Sequence, residues 1–268
     1  MKQISLFAFI ISIVLATSCT KETEGEITPA NFHISATPDG TGVILQWDKP
    51  VVEVDGYKIY FEGNLIATLP EDSTIYIDIR NEVGTYTLRS YIGDSLSDPL
   101  TKSTLPEETR NITIYELNAS GYSGLGFTSS WVATAYPMAD PNAPSFVDFY
   151  YTDLTEGVDT SEYTIRYIAY GGLAVSSDEG GELGVSYNGN WRQNRIKRGE
   201  PVDGIISDSF TSADDRAPVD DNTLYIFKIE REDGFHYGIL EIASSDTISC
   251  TISTIKIQKI PNLRLIGQ

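Results

Sequence analysis

Short runs of branched and aromatic residues recur roughly every ten positions along this chain, each closed by turn-forming residues. Between Asn31 and Ile92 they read "NFHISAT", "GVILQWD", "GYKIYF", "NLIATL", "STIYIDI" and "GTYTLRSYI". No long segment repeats its apolar residues with the 3.6-residue period of an amphipathic helix, so strands are the only elements that can bury them. The 16 tyrosines and the many Thr, Ile and Val fit a pleated surface for the same reason. The expectation is an all-β chain.

The pattern continues beyond a polar joint, "LPEETRN" at 105–111. Further strand candidates are "ITIYEL", "GFTSSWVATAY", "FVDFYYTDL", "YTIRYIAYGGLAV", "ELGVSYNG", "TLYIFKIE", "HYGILEIAS" and "TISTIKIQKI". Asp233-Gly234 separates "TLYIFKIE" from "HYGILEI", and an Asp-Gly pair between two apolar-alternating runs predicts an antiparallel hairpin. At 268 residues the chain is long enough for two domains. The reading is a small sandwich over 29–105 and a larger antiparallel β-sandwich or jelly-roll-like domain over 111–268.

The first of these segments resembles a fibronectin type III domain. The resemblance rests on Trp47 in the second strand, on Tyr57-x-Ile59-Tyr60 in the third, and on "VGTYTLRSY", where Tyr86 takes the place of the corner tyrosine. It implies that Trp47 and Tyr86 are core residues, with the Tyr86 hydroxyl bonding back to the backbone. It also implies a spacer or adhesion role, and no Arg-Gly-Asp loop is present. The closing run "LYIFKIEREDGFHYGILEI" resembles the all-β, HmuY-like haem-scavenging lipoproteins. Haem ligation in that family uses histidine pairs, whereas this chain has only His33 and His236, so no cofactor is expected.

The N-terminus is a targeting segment. Lys2 precedes an apolar stretch from Ile4 to Leu15, shorter than the ~20 residues that span a bilayer, and Ala16, Thr17 and Ser18 lead to Cys19. This resembles a bacterial lipoprotein signal over 1–18, which implies cleavage before Cys19 and a diacylglycerol on its thiol. Ala16 stands where an aliphatic residue is usual, with Leu15 one step earlier. The alternative is an ordinary secretory signal with an incidental cysteine. Residues 19–28 are polar and acidic and make a flexible tether, and Glu22, Glu24 and Glu26 resemble an export tag for the outer face of the outer membrane. The chain is then lipid-anchored and surface-exposed, with the membrane as a partner through the anchor. Cys250 is left as a small hydrophobe in a strand, with no intrachain disulfide expected.

Charge excludes one class of ligand. The 38 acidic and 19 basic residues give a net charge of −19, the opposite of the basic footprint that nucleic acid requires.

Two stretches are candidate sites. In "VSYNGNWRQNR", Trp191 lies among Asn188, Asn190, Arg192, Gln193 and Asn194, next to Tyr187. An aromatic face ringed by planar amides complements a sugar, whose C–H patches stack on a ring while its hydroxyls need paired donors and acceptors. Tyr150, Tyr151, Tyr167 and Tyr170 could extend the platform, although strand alternation sends neighbouring tyrosines to opposite faces. A tryptophan near a hairpin also serves to cover the end of a sandwich core. The second stretch, "SADDRAPVDDNT", offers Asp214, Asp215, Asp220 and Asp221 to a calcium ion, but without calcium-loop spacing; a solvated acidic loop accounts for it better.

No constellation of nucleophile, base and orienting group is legible, and carboxylates such as Asp148, Asp153 and Glu162 have no distinguishing context. The expected function is a non-enzymatic, surface-anchored lipoprotein whose second domain binds a glycan. The alternatives are a structural or protein-interaction subunit of an envelope complex, and a glycan-active hydrolase.

Overall fold

The computed structural model describes residues 27–153, 167–170 and 191–267. The signal-like segment, Cys19, Tyr187, Asn188 and Asn190 lie outside the described residues. Among those described, no helix is long and apolar enough to cross a membrane.

The first sandwich grows out of period-two alternation. In β2 (Val43–Asp48) residues Val43, Leu45 and Trp47 point inward; in β3 (Gly56–Phe61) Tyr57, Ile59 and Phe61 do; in β6 (Thr85–Ile92) Tyr86 and Leu88 do. One sheet orders β1 (Ala30–Ala36), β2 and β5 (Ile75–Asp78). The other orders β4 (Asn64–Pro70), β3, β6 and β7 (Ser95–Leu96), with β8 (Leu100–Ser103) also on β6. This is the fibronectin type III-like sandwich expected from the sequence. The β3–β4 hairpin turns on Glu62 and Gly63, with φ of 47° and 79°, the left-handed pair that matches strand twist.

Trp47 and Tyr86 are core residues as expected, 3% and 0% exposed. The tyrosine hydroxyl, however, donates to a side chain and not to the backbone: it reaches Asp78 Oδ2 at 2.9 Å. Arg80 Nε donates to the same oxygen at 2.5 Å. A nearly buried carboxylate needs such donors, and Asp78 captures the hydroxyl. Burial first, then the Asp78 charge, pushes the Tyr86 hydroxyl well above the usual phenol range.

The second sandwich packs two five-stranded sheets. One orders β11 (Ala133–Tyr136), β10 (Gly124–Phe127), β12 (Phe149–Thr152), β13 (Tyr167–Tyr170) and β15 (Arg216–Pro218). The other orders β14 (Arg195–Arg198), β16 (Thr223–Arg231), β17 (Gly234–Ser245), β18 (Ser249–Ile257) and β9 (Glu107–Tyr115). One short helix, α1 (Ala143–Phe146), precedes β12. The polar joint is therefore brief, because β9 begins at Glu107 and pairs it with Ile257. The run "GFTSSWVATAY" is not one strand: it breaks at Thr128–Val132 into β10 and β11. Small polar residues there close a turn, with Trp131 N–H donating to Thr128 O at 2.9 Å.

Phe227 sits at the centre of this core, its ring 5.8 Å from Phe127 and 5.7 Å from Phe149. Its cross-strand neighbour is Gly238, where a Cβ would lie 2.2 Å from the Phe227 ring. The glycine is thus set by the close approach of an aromatic ring. Cys250 is buried in the same core. The β16–β17 hairpin forms as expected, shifted by one residue: Arg231 pairs with Gly234, so Glu232 and Asp233 make the loop. Asn262 holds that register, receiving Phe235 N–H on Oδ1 at 3.1 Å and donating its own N–H to Phe235 O at 2.7 Å.

Asn262 belongs to a segment that leaves β18 and returns to the first sandwich. Leu263 and Leu265, both fully buried, pack into the core that holds Val43, Leu45, Trp47 and Leu88. Arg264 between them donates to three backbone carbonyl groups: to Asp39 O from Nε and Nη2 at 3.0 and 2.8 Å, to Ile206 O from Nη1 at 3.0 Å, and to Gly40 O from its own N–H at 2.8 Å. Gln258, fully buried, donates to Thr104 O at 3.0 Å and Leu265 O at 2.8 Å. The segment thereby fastens the two sandwiches together.

Candidate functional site

Where the β10–β11 turn meets the β16–β17 hairpin, the second sandwich opens into a cleft of about 640 Å³. Its lining includes Trp131, Arg192, Glu230, Arg231, Glu232 and Asp233. Trp131 sits in the turn with φ of 66° and packs against His236, ring centres 4.0 Å apart and planes tilted by 35°, with the Arg231 guanidinium over its ring at 5.6 Å. His236 is buried in β17, its Nδ1 2.9 Å from Gln258 O and its Nε2 3.0 Å from Asp233 Oδ1. These contacts fix the imidazole, and the imidazole fixes the indole.

The floor is a buried polar network. Asp148, just before β12, is 0% exposed. Arg231, at the end of β16, grips it at two points, Nη1 to Oδ1 at 2.7 Å and Nη2 to Oδ2 at 2.6 Å. Asn194, just before β14, donates from Nδ2 to Asp148 O at 3.1 Å and to Oδ1 at 3.0 Å, while its own Oδ1 accepts Glu230 N–H at 2.9 Å. Arg192 donates from Nη2 to Ser145 O at 2.6 Å. Its Nη1 lies 3.5 Å from Asp148 Oδ1, and it is buried without a hydrogen-bond partner. Burial, and then the neighbouring Arg231 charge, lower the Arg192 pKa, with Asp148 opposing them.

The expected site residues are only partly brought together here. Arg192 lines the cleft and Asn194 builds its floor. Gln193 is exposed and lines an adjoining cavity of about 330 Å³, with Arg195, Lys228 and Phe235, which shares Glu230 with the cleft. Trp191 instead packs against Leu117, Met138, Ala143, Val147 and Tyr150, its Nε1 buried without a partner. It covers a core. Tyr150 and Tyr151 are fully buried on opposite faces of β12 and give no platform. The aromatic wall belongs to Trp131, which lies inside the run "GFTSSWVATAY" expected as one strand. The "TSS" preceding it was the available signal of a turn.

The acidic loop does not converge. Asp214 accepts from Thr211 N–H and Oγ1 at 2.6 and 3.1 Å, Asp215 lies 3.6 Å from Arg216, Asp220 pairs with Arg198, and Asp221 accepts from Ser245 at 2.9 Å. Separate partners pull the four carboxylates apart. Among the described residues, no group of three or more His, Cys, Asp or Glu could hold a metal ion. The two histidines likewise stand apart, His33 exposed on β1 of the first sandwich and His236 buried in the second.

Fold and site together define an all-β protein of two sandwiches, the second carrying a polar cleft with an aromatic wall. No protein-family description matches the chain, and no curated protein matches it. Among solved structures it is similar to a DUF4466 family protein from Parabacteroides merdae, with a TM-score of 0.40, 10% identity, and coverage of 86% of this chain and 98% of that one. It is also similar to a two-domain fibronectin type III segment of chicken tenascin, with a TM-score of 0.26, 14% identity and coverage of 87% and 99%. The central fibronectin III array of RIM-binding protein gives 0.25, 10%, and 78% and 93%. These scores are low, and the fibronectin type III-like character of the first sandwich stands on its own strand order.

Proposed function

We propose that this is a surface-exposed binding protein, anchored by a lipid on Cys19, whose second sandwich holds a glycan chain in the Trp131 cleft. One observation carries the reading: the Trp131 indole, packed against His236 and with the Arg231 guanidinium over its ring at 5.6 Å, lines a cleft together with the planar polar side chains of Arg192, Glu230, Glu232 and Asp233. A sugar needs that combination, a flat apolar face for its C–H groups and in-plane donors and acceptors for its hydroxyls. The adjoining cavity across Glu230, with Phe235 under Lys228 at 4.0 Å, gives room for a second unit of a linear chain. Binding, not turnover, suits the floor, because the buried Asp148 is already committed to Arg231 and Asn194 and is not available as an acid or base.

Affinity electrophoresis of the purified protein through a panel of polysaccharides tests this. Retention by at least one polymer, lost in Trp131→Ala while the melting temperature holds, is the expected result. If no polymer retards the protein, or if Trp131→Ala binds as the parent does, the reading fails. Palmitate labelling in cells, lost in Cys19→Ala, tests the anchor.

A further inference from the structure

We infer that the free edge of β5 pairs antiparallel with the β5 of a second copy of this chain, which makes the first sandwich a two-fold dimerisation module. The inference stands apart from the cleft and from the lipid anchor.

β5 is the outer strand of its sheet, and its register on β2 runs without a bulge from Val43 opposite Asp78 to Gln46 opposite Ile75. Trp47 N–H donates to Thr74 O at 3.1 Å in the same register, so Thr74, Tyr76 and Asp78 turn their backbone groups toward β2. Ile75, Ile77 and Ile79 turn theirs away from the sheet. The same three residues hold their side chains outside the sandwich, 48%, 53% and 79% exposed, with Ile44 of β2 beside Ile77 on that face.

Sandwiches usually protect an edge of this kind. The outer strands β1 and β4 each sit at a break in register, and β4 ends on Pro70. β5 has neither device, and its one charged residue, Asp78, turns inward to Tyr86 and Arg80.

The order Ile-Tyr-Ile-Asp-Ile over 75–79 selects a second copy as the occupant. A two-fold axis through Ile77 sets it against the partner's Ile77, and Ile75 against the partner's Ile79. Every apolar side chain then meets another, and every outward N–H meets a C=O. An isologous contact requires a patch that matches itself, and this row does. It is also small, below the ~800 Å² per partner of a standard stable interface, so the dimer is weak and reversible, with a Kd on the order of 100 μM. The net charge of −19 on each copy opposes association, and added salt should therefore tighten it.

Sedimentation velocity of the purified protein, from about 5 to about 500 μM, tests this. The expected result is a monomer–dimer equilibrium that closes at the dimer and moves toward dimer as salt is added. Ile77→Lys places two ammonium groups on the axis and should hold the protein monomeric throughout, with the melting temperature unchanged because the side chain is at the surface. Ile77→Cys should cross-link into a dimer on mild oxidation, since facing strand residues lie within disulfide reach, whereas Leu65→Cys, equally exposed on β4, should not. A protein that stays monomeric overturns the inference and leaves the edge to a strand of another protein. Oligomers that grow past the dimer, a dimer indifferent to Ile77→Lys, or cross-linking of Leu65→Cys in place of Ile77→Cys overturn it as well. The cross-link decides the matter even if Ile77→Lys loses its fold, which a thermal melt records.

Discussion

Asp148 and Arg231, 83 positions apart in sequence, meet at 2.6 and 2.7 Å with the carboxylate wholly buried. Asp148 belongs to the lead-in of one sheet and Arg231 to the last residue of a strand in the other. Their two-point contact closes the open end of the second sandwich and holds the cleft lining at a fixed separation. A buried pair of this kind is held less by its net energy than by the cost of removing one partner.

Asp148→Ala should therefore destabilise the protein by about 3–5 kcal/mol, since Arg231 and Arg192 are left facing each other in a partly dry site. The double variant Asp148→Ala/Arg231→Met should recover part of that loss. Denaturant unfolding of the two variants checks this, and a double variant no more stable than the single one would contradict it.

Gly238→Ala introduces a Cβ 2.2 Å from the Phe227 ring and 2.5 Å from Lys256 O. Overpacking should cost about 1–3 kcal/mol. Phe227→Leu alone should be costly through the cavity it leaves, yet the pair should be less destabilised than the sum of the two changes. Additive costs would show that the ring and the glycine are not coupled.

Leu265→Ala should lower stability by about 2–5 kcal/mol, and its effect should register in the first sandwich although the residue follows the second in sequence. Chemical-shift changes at the Trp47 indole N–H provide the readout. An unchanged Trp47 signal would refute the shared core.

The Asp39 carboxyl, hydrogen-bonded first by Thr37 and then by Thr41, is held down at about 2. A folded pKa below the ordinary carboxylate value means that this turn is supported above about pH 4 and loses support as pH falls toward 2. Carbon-13 titration of the side chain should find the midpoint near 2 in the parent, and nearer to ordinary carboxylates in Thr37→Val/Thr41→Val. An ordinary midpoint in the parent would rule the network out.

Local signals carried most of the fold. Val43-x-Leu45-x-Trp47 alternates because one face of β2 is dry, and the β16–β17 hairpin is announced by its charged turn; both are legible within a dozen residues. The site was less legible, for a physical reason. Trp131 follows three small polar residues, Thr128 to Ser130, which an edge of a strand tolerates as readily as a turn, so a strand and a strand–turn–strand look alike. Asp148 gains its meaning only from Arg231, and no local pattern encodes a contact over such a separation. Trp191 had the right composition around it, but its ring packs on a core cluster that Met138, Ala143 and Val147 form.

The return of Leu263 and Leu265 to the first sandwich has a bearing on biosynthesis. The N-terminal module emerges first, yet the two leucines that complete its interior are made after the whole of the second module. Its final packing must wait for nearly the entire chain to clear the ribosome. Until then an unfinished sandwich is carried along with part of its interior open, a loose state that locks only when synthesis is almost done.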